Sequence, residues 1–158
     1  MYAKPWRSTK LAYTNAISTY RETRVKTASQ GQLIIMLYEE AVKHLDRSLE
    51  LLKATAGSKR NPSNIEPVSN SVLKVQEIVT ELTASLDFEQ GGEIARNLFS
   101  LYNWFTRELL EANITQDIHR ISAVRHQMNE LKGAWVEVVA KTAAENAGKV
   151  TAGINIAG

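Results

Sequence analysis

Three long stretches of this chain contain neither glycine nor proline: Gln32 to Ala56, Val68 to Gln90, and Glu93 to Lys132. A sheet protein needs turn residues every roughly 8–12 positions. Uninterrupted runs of this length leave helices as the main way for the backbone to satisfy its own hydrogen bonds. With 158 residues the chain has material for one core, so the expectation is an all-α single domain.

Apolar spacing says where the helices lie. The first is expected from Ser29, because Ser29 and Gln32 have the spacing of a capping box. Leu33, Leu37, Ala41, Leu45, Leu49 and Leu52 then recur at helical intervals, widened by Ile34, Tyr38 and Val42, and Gly57 is a natural stop. A second helix, capped by Ser63 or Asn64 with Pro67 in its first turn, carries Val68, Val72, Val75, Val79, Leu82 and Leu86. Gly91-Gly92 reads as a tight turn into a third, with Ile94, Leu98, Leu101, Tyr102, Phe105 and Leu109 on one face and Asn113 as a left-handed end. Asp117 is placed to cap a fourth, bearing Ile118, Ile121, Val124, Met128, Leu131, Trp135 and Val138. Short links make consecutive helices antiparallel neighbours, so the expected architecture is an antiparallel up-down four-helix bundle over 29–146. Residues 1–28 read as an N-terminal arm with room for a short helix near Ala12–Tyr20. The small, aperiodic residues of 147–158 read as a disordered C-terminal tail.

Composition closes off several classes of function. The chain has no cysteine, which removes disulfides, thiolate chemistry and cysteine-based metal centres. No apolar run approaches the roughly 18 residues of a membrane span, and the N-terminus has no apolar signal segment, so a cytoplasmic location without membrane insertion is expected. Net charge is +2 but uneven: residues 1–30 hold six basic side chains and one acid, and the remainder 13 basic and 16 acidic. The basic residues are spaced rather than clustered and no base-reading motif accompanies them, so nucleic acid is not an expected partner.

Catalytic constellations are also missing. A di-iron bundle needs Glu-x-x-His on two helices, and none of His44, His119 and His126 follows an acid by three. Glu40 with His44, and His126 with Glu130, are four apart and read as surface pairs. No nucleophile elbow exists, and Gly91-Gly92 lacks the Lys-Ser/Thr partner of a phosphate loop. The expectation is a non-enzyme without cofactor or metal. More informative is the excess of apolar surface. Phe99 and Trp104 lie off the main stripe of the third helix, and Ile34-Ile35-Met36-Leu37-Tyr38 leaves little polar surface on the first. Helices apolar on more than one face call for a second buried surface, covered by the arm, by a partner, or by each in turn.

Three blocks of residues resemble those of a known family, the flagellin-specific export chaperones FliS. Tyr20, Val25 and Thr27-Ala28-Ser29, running into Leu33, Met36, Leu37 and Tyr38, are similar to that family's opening block. Leu82, Leu86, Asp87 and Gly91-Gly92 resemble its central link. Asn97-Leu98, Leu101-Tyr102, Leu110-Glu111-Ala112-Asn113 and Trp135 follow its later helices. The likeness spans about Tyr13 to Ala140.

The resemblance implies a cytoplasmic chaperone that holds the C-terminal region of flagellin, prevents premature polymerisation and delivers it toward the export machinery, as a monomer or weak dimer. On that basis the residues expected to bind flagellin, or to hold the arm in the same groove, are Ile17, Tyr20, Val25, Ile34, Tyr38, Leu98, Leu101, Tyr102 and Phe105. Without the block from Tyr20 to Tyr38, the same helices would equally describe a generic protein–protein adaptor.

Overall fold

The computed structural model describes residues 29–54 and 62–157, all within or flanking four helices: α1 (Gln30–Lys53), α2 (Pro62–Ala84), α3 (Phe88–Thr115) and α4 (Ile118–Ala157). They form an all-α four-helix bundle. α1 packs on both α2 and α4 along much of its length, and α3 closes the square through shorter contacts with the same two helices. Expectations that fall on residues 1–28, including the short helix near Ala12–Tyr20, lie outside the described residues.

The stripes read from the sequence meet at one core. Leu37, Tyr38, Ala41 and Leu45 of α1, Val68, Val72, Val75, Val79 and Leu82 of α2, Tyr102, Phe105 and Leu109 of α3, and Ile121, Val124 and Met128 of α4 are all buried together. Each fully buried Leu, Ile, Val or Met side chain contributes about 1.5–3 kcal/mol of transfer free energy. Leu86, Leu98, Leu101, Trp104 and Trp135 are partly buried against that core. Two ion pairs brace α4 from outside: Arg120 forks onto both carboxylate oxygens of Glu108 at 3.0 and 2.9 Å, and Arg125 reaches Asp46 at 2.8 Å.

Helix starts follow side-chain caps. Ser29 and Gln32 form the expected reciprocal box, each side chain bonded to the other's backbone N–H at 3.2 Å. Asp117 accepts from the His119 N–H at 2.9 Å and opens α4 as expected.

Other boundaries differ from the sequence reading. α1 ends at Lys53, with Ala54 as its cap, ahead of Gly57. α2 begins at Pro62, which leaves Pro67 inside the helix rather than in its first turn. Asn64, one of the two expected caps, instead donates its side-chain amide to the Leu51 carbonyl, tying α2 to the last turn of α1. The largest change concerns α3. It starts at Phe88, where Asp87 accepts hydrogen bonds from the N–H groups of Glu89 and Gln90, both at 3.0 Å. The expected glycine turn is therefore a kink within the helix, at Gly92 (φ 51, ψ −124), a conformation open to glycine and costly with a Cβ. At the far end the left-handed residue is Gln116 (φ 57, ψ 40), not Asn113. The tail expected to be disordered instead continues the α4 backbone to Ala157. Its alanines favour helix, and Lys141 to Gly148 are exposed.

Candidate functional site

The up-down order gathers the start of α1, the end of α2, the start of α3 and the middle of α4 at one end of the bundle. An apolar cleft of about 320 Å³ opens there, in the size range of small ligand pockets. Gln30, Gly31 and Ile34 form one wall. Leu82, Ser85, Leu86 and Asp87 come from α2 and the short link, Ile94, Ala95, Leu98 and Tyr102 from α3, and Trp135 from α4.

Two glycines set its shape. At Gly31 an added Cβ would stand 2.6 Å from Val139 Cγ2, so the missing side chain lets α1 and α4 close tightly beside the cleft. Gly91 lies on the opposite wall, where a Cβ would meet that of Ala95 at 2.8 Å.

Ile94 is the residue that marks the cleft as unfilled. It belongs to the core-facing stripe of α3 with Leu98, Tyr102, Phe105 and Leu109, yet it is 72% exposed. The expectation that it would be a core residue fails because no described helix covers this turn. Val138, expected in the α4 stripe, is likewise 55% exposed. Next to the cleft, Phe88 and Phe99 meet edge to face with ring centroids 5.8 Å apart, and both remain more than a third exposed. Contiguous apolar surface rimmed by polar groups is the physical mark of a docking site.

The floor of the cleft is polar and sealed. Tyr38 and Tyr102, both buried, share a hydrogen bond of 2.5 Å between their hydroxyls. Burial pushes Tyr38 up from its ordinary value to about 12, with Tyr102 and then Trp135 opposing the rise. Tyr102 is raised further, by burial first and then by Tyr38. Both are neutral hydrogen-bonding groups in the physiological range and supply no acid or base. On α2, burial and then the neighbouring charge of Glu77 raise the Glu81 carboxyl, whose Oε2 has no hydrogen-bond partner among the described residues.

The residues singled out from the sequence divide clearly. Ile34, Leu98 and Tyr102 line the cleft, and Tyr38 lies directly beneath it. Leu101 is half-buried against the core. Phe105 is wholly buried, with tilted ring contacts to Tyr102 and Trp104 at centroid distances of 6.2 and 5.5 Å. Ile17, Tyr20 and Val25 lie outside the described residues. Sequence reasoning missed Gly31, Ile94 and the Phe88–Phe99 pair as site features. Of these, only Phe99 carried a signal, being off the core stripe.

A second, polar groove between α1 and α2 holds Lys43, Asp46, Arg47 and Lys74 in mixed charge. His44 contacts Glu40 at 3.5 Å there, but Glu40 is buried, so this is not the surface pair expected. Among the described residues no group of three or more His, Asp or Glu is arranged to hold a metal ion. No helix among them is long and apolar enough to cross a membrane.

The described residues therefore form a helical scaffold that presents an apolar cleft. Comparison with known proteins places it more narrowly. The family model described as "Flagellar protein FliS" matches residues 13–142, and the chain belongs to that family. It is 33% identical over 121 residues to the flagellar secretion chaperone FliS of Salmonella typhimurium, covering 76% of this chain and 84% of the relative. It is 32% identical over 123 residues to the FliS of Campylobacter jejuni, covering 78% and 90%. Identity to the FliS of Bacillus subtilis is 23% over 129 residues, 82% and 90% of the two chains. These relatives are named as chaperones and not as enzymes.

Proposed function

We propose that this protein is a cytoplasmic export chaperone that binds the C-terminal segment of flagellin in the apolar cleft, keeps it from polymerising and presents it to the flagellar export machinery. The observation that carries this reading is Ile94, a core-stripe residue left exposed in the cleft of a FliS-family chain. An amphipathic client segment placing apolar residues at i, i+3, i+4 and i+7 would complete the interrupted core there. Ordering a client that is unstructured when free costs entropy. The binding surface must then extend beyond the cleft, and the adjoining Phe88–Phe99 pair supplies such surface.

Without client, Ile17, Tyr20 and Val25 of the arm take the same place. The route supports this, since the chain enters α1 at Ser29, next to the cleft residues Gln30 and Gly31. A generic adaptor role for another client is the alternative.

The test is seeded flagellin polymerisation followed by light scattering. An equimolar amount of this protein should suppress filament growth, and the Ile94→Asp variant should suppress it much less. Growth unaffected by the folded wild-type protein would overturn the assignment.

A further inference from the structure

Phe88 and Phe99 lie eleven positions apart on α3. At a rise of 1.5 Å per residue, a continuous helix would hold their Cα atoms about 16 Å apart. Helical side chains all lean toward the N-terminus, so the two rings would keep roughly that separation. Their centroids are instead 5.8 Å apart. Position 91 shows the same compression. Cβ atoms four residues apart on a continuous helix stand about 5–6 Å from each other, whereas a Cβ at Gly91 would meet that of Ala95 at 2.8 Å. The non-helical backbone at Gly92 (φ 51, ψ −124) therefore folds the first turn of α3 back on the turns that follow.

This fold-back builds the cleft. Asp87 and Gly91 line it from before the kink, and Ile94, Ala95, Leu98 and Tyr102 from after it. The backbone angles at Gly92 set the spacing between those two walls. Asp87 holds the folded turn together: its carboxylate accepts from the N–H groups of Glu89 and Gln90, and its carbonyl from that of Gly91 at 2.8 Å. The edge-to-face contact of Phe88 with Phe99 ties the turn to the rest of α3.

We propose that Gly92 is a positioning residue of the cleft: its positive φ holds the first turn of α3 folded back, with Phe88 latched on Phe99, and the cleft takes its ligand in that state alone. The two glycines act for different reasons. Gly91 supplies space. Gly92 supplies a backbone conformation, since a Cβ there would meet nothing within 4 Å. A ligand touching the walls on both sides of the kink binds the folded-back state better than a straightened one, so occupancy and kink reinforce each other. The role in binding rests on the cleft being the client site, and the fold-back itself does not.

Chirality at position 92 separates backbone conformation from every other effect of a methyl group. The mirror image of the Gly92 conformation falls at the edge of the extended region that L residues adopt freely, so D-alanine fits the kink and L-alanine does not. Three full-length proteins are compared: the natural chain, Gly92→Ala, and a semisynthetic chain with D-alanine at position 92. The chain has three phenylalanines, so selective labelling resolves a nuclear Overhauser contact between the Phe88 and Phe99 rings. That contact is expected in the glycine and D-alanine proteins and lost in Gly92→Ala. In calorimetry a flagellin C-terminal peptide should bind the D-alanine protein within about 2-fold of the natural chain. It should bind Gly92→Ala at least about 10-fold more weakly, because apparent affinity falls with the fraction of protein in the competent state.

Should Gly92→Ala fail to fold, the D-alanine protein decides alone, since a D residue is unfavourable in a continuous right-handed helix. Loss of the ring contact or a lowered melting temperature in that protein would overturn the proposal. So would a ring contact retained in Gly92→Ala, or equal peptide affinity in the two alanine proteins despite its loss. Ring contacts as expected with no peptide binding by any of the three would sink the client reading and leave Gly92 as the residue that shapes the cleft.

Discussion

The hydroxyl pair beneath the cleft makes a quantitative prediction. Tyr38 and Tyr102 are both buried, and their oxygens are 2.5 Å apart. Removing one partner of a buried hydrogen bond strands the other at about 1–3 kcal/mol, whereas replacing both partners with apolar groups of similar shape is close to neutral. Tyr102→Phe strands the Tyr38 hydroxyl, so the expected cost is about 1–3 kcal/mol. Tyr38→Phe strands the Tyr102 hydroxyl in the same way, for about 1–3 kcal/mol. The double variant should cost no more than the Tyr38→Phe single, a coupling of about 1–2 kcal/mol. Urea denaturation followed by Trp fluorescence measures all three, with an unchanged m-value showing that the unfolded state is comparable. Strict additivity within about 0.5 kcal/mol would refute the hydrogen-bond reasoning, since non-interacting sites behave that way.

Other perturbations have equally definite outcomes. Because Tyr38 rises from 10.0 to about 12 on folding, its contribution is fully present below pH 10 and is lost as pH climbs toward 12. The urea midpoint should fall over that window, and less so in Tyr38→Phe. Gly31→Ala gains helix propensity but drives its Cβ to 2.6 Å from the stiff Val139 side chain. It should destabilise by about 1–2 kcal/mol, with recovery in the double variant carrying Val139→Ala, as seen in thermal melts. Arg125→Ala breaks a half-exposed pair with Asp46 and should shift stability by less than about 1 kcal/mol. Deleting residues 1–19 should leave flagellin peptide affinity unchanged or tighter in calorimetry, and a large loss would make the arm a direct client contact.

Periodicity carried most of the bundle, and the reasons it stopped are physical. The α1 and α2 stripes and the Ser29 and Asp117 caps were legible because a helix start has local chemistry and a core face has a 3.6-residue repeat. At α3 two local signals competed. Gly91-Gly92 looks like a break, but Asp87 caps the helix first, and only Gly92 leaves helical geometry. Ile94 and Val138 were misplaced for a different reason: a stripe says which residues share a face, not whether another helix covers that face at that height. The exposure of Ile94 is a tertiary fact, and the cleft follows from it. Excess apolar surface was visible in the chain, but its position at the α1, α2–α3 and α4 junction was not. Family membership was readable from the Tyr20–Tyr38 block because that block is a specific string rather than a repeat.

Calorimetric titration of the full chain, and of Ile94→Asp, with a peptide covering roughly the last 40 residues of the host's flagellin tests the central claim most directly. The account predicts submicromolar 1:1 binding with a strongly negative heat-capacity change, the mark of buried apolar surface. It also predicts at least tenfold weaker binding by the variant at unaltered stability, because Ile94 is 72% exposed in the free protein. No heat at several temperatures from folded protein, or equal affinity in the two proteins, would contradict it.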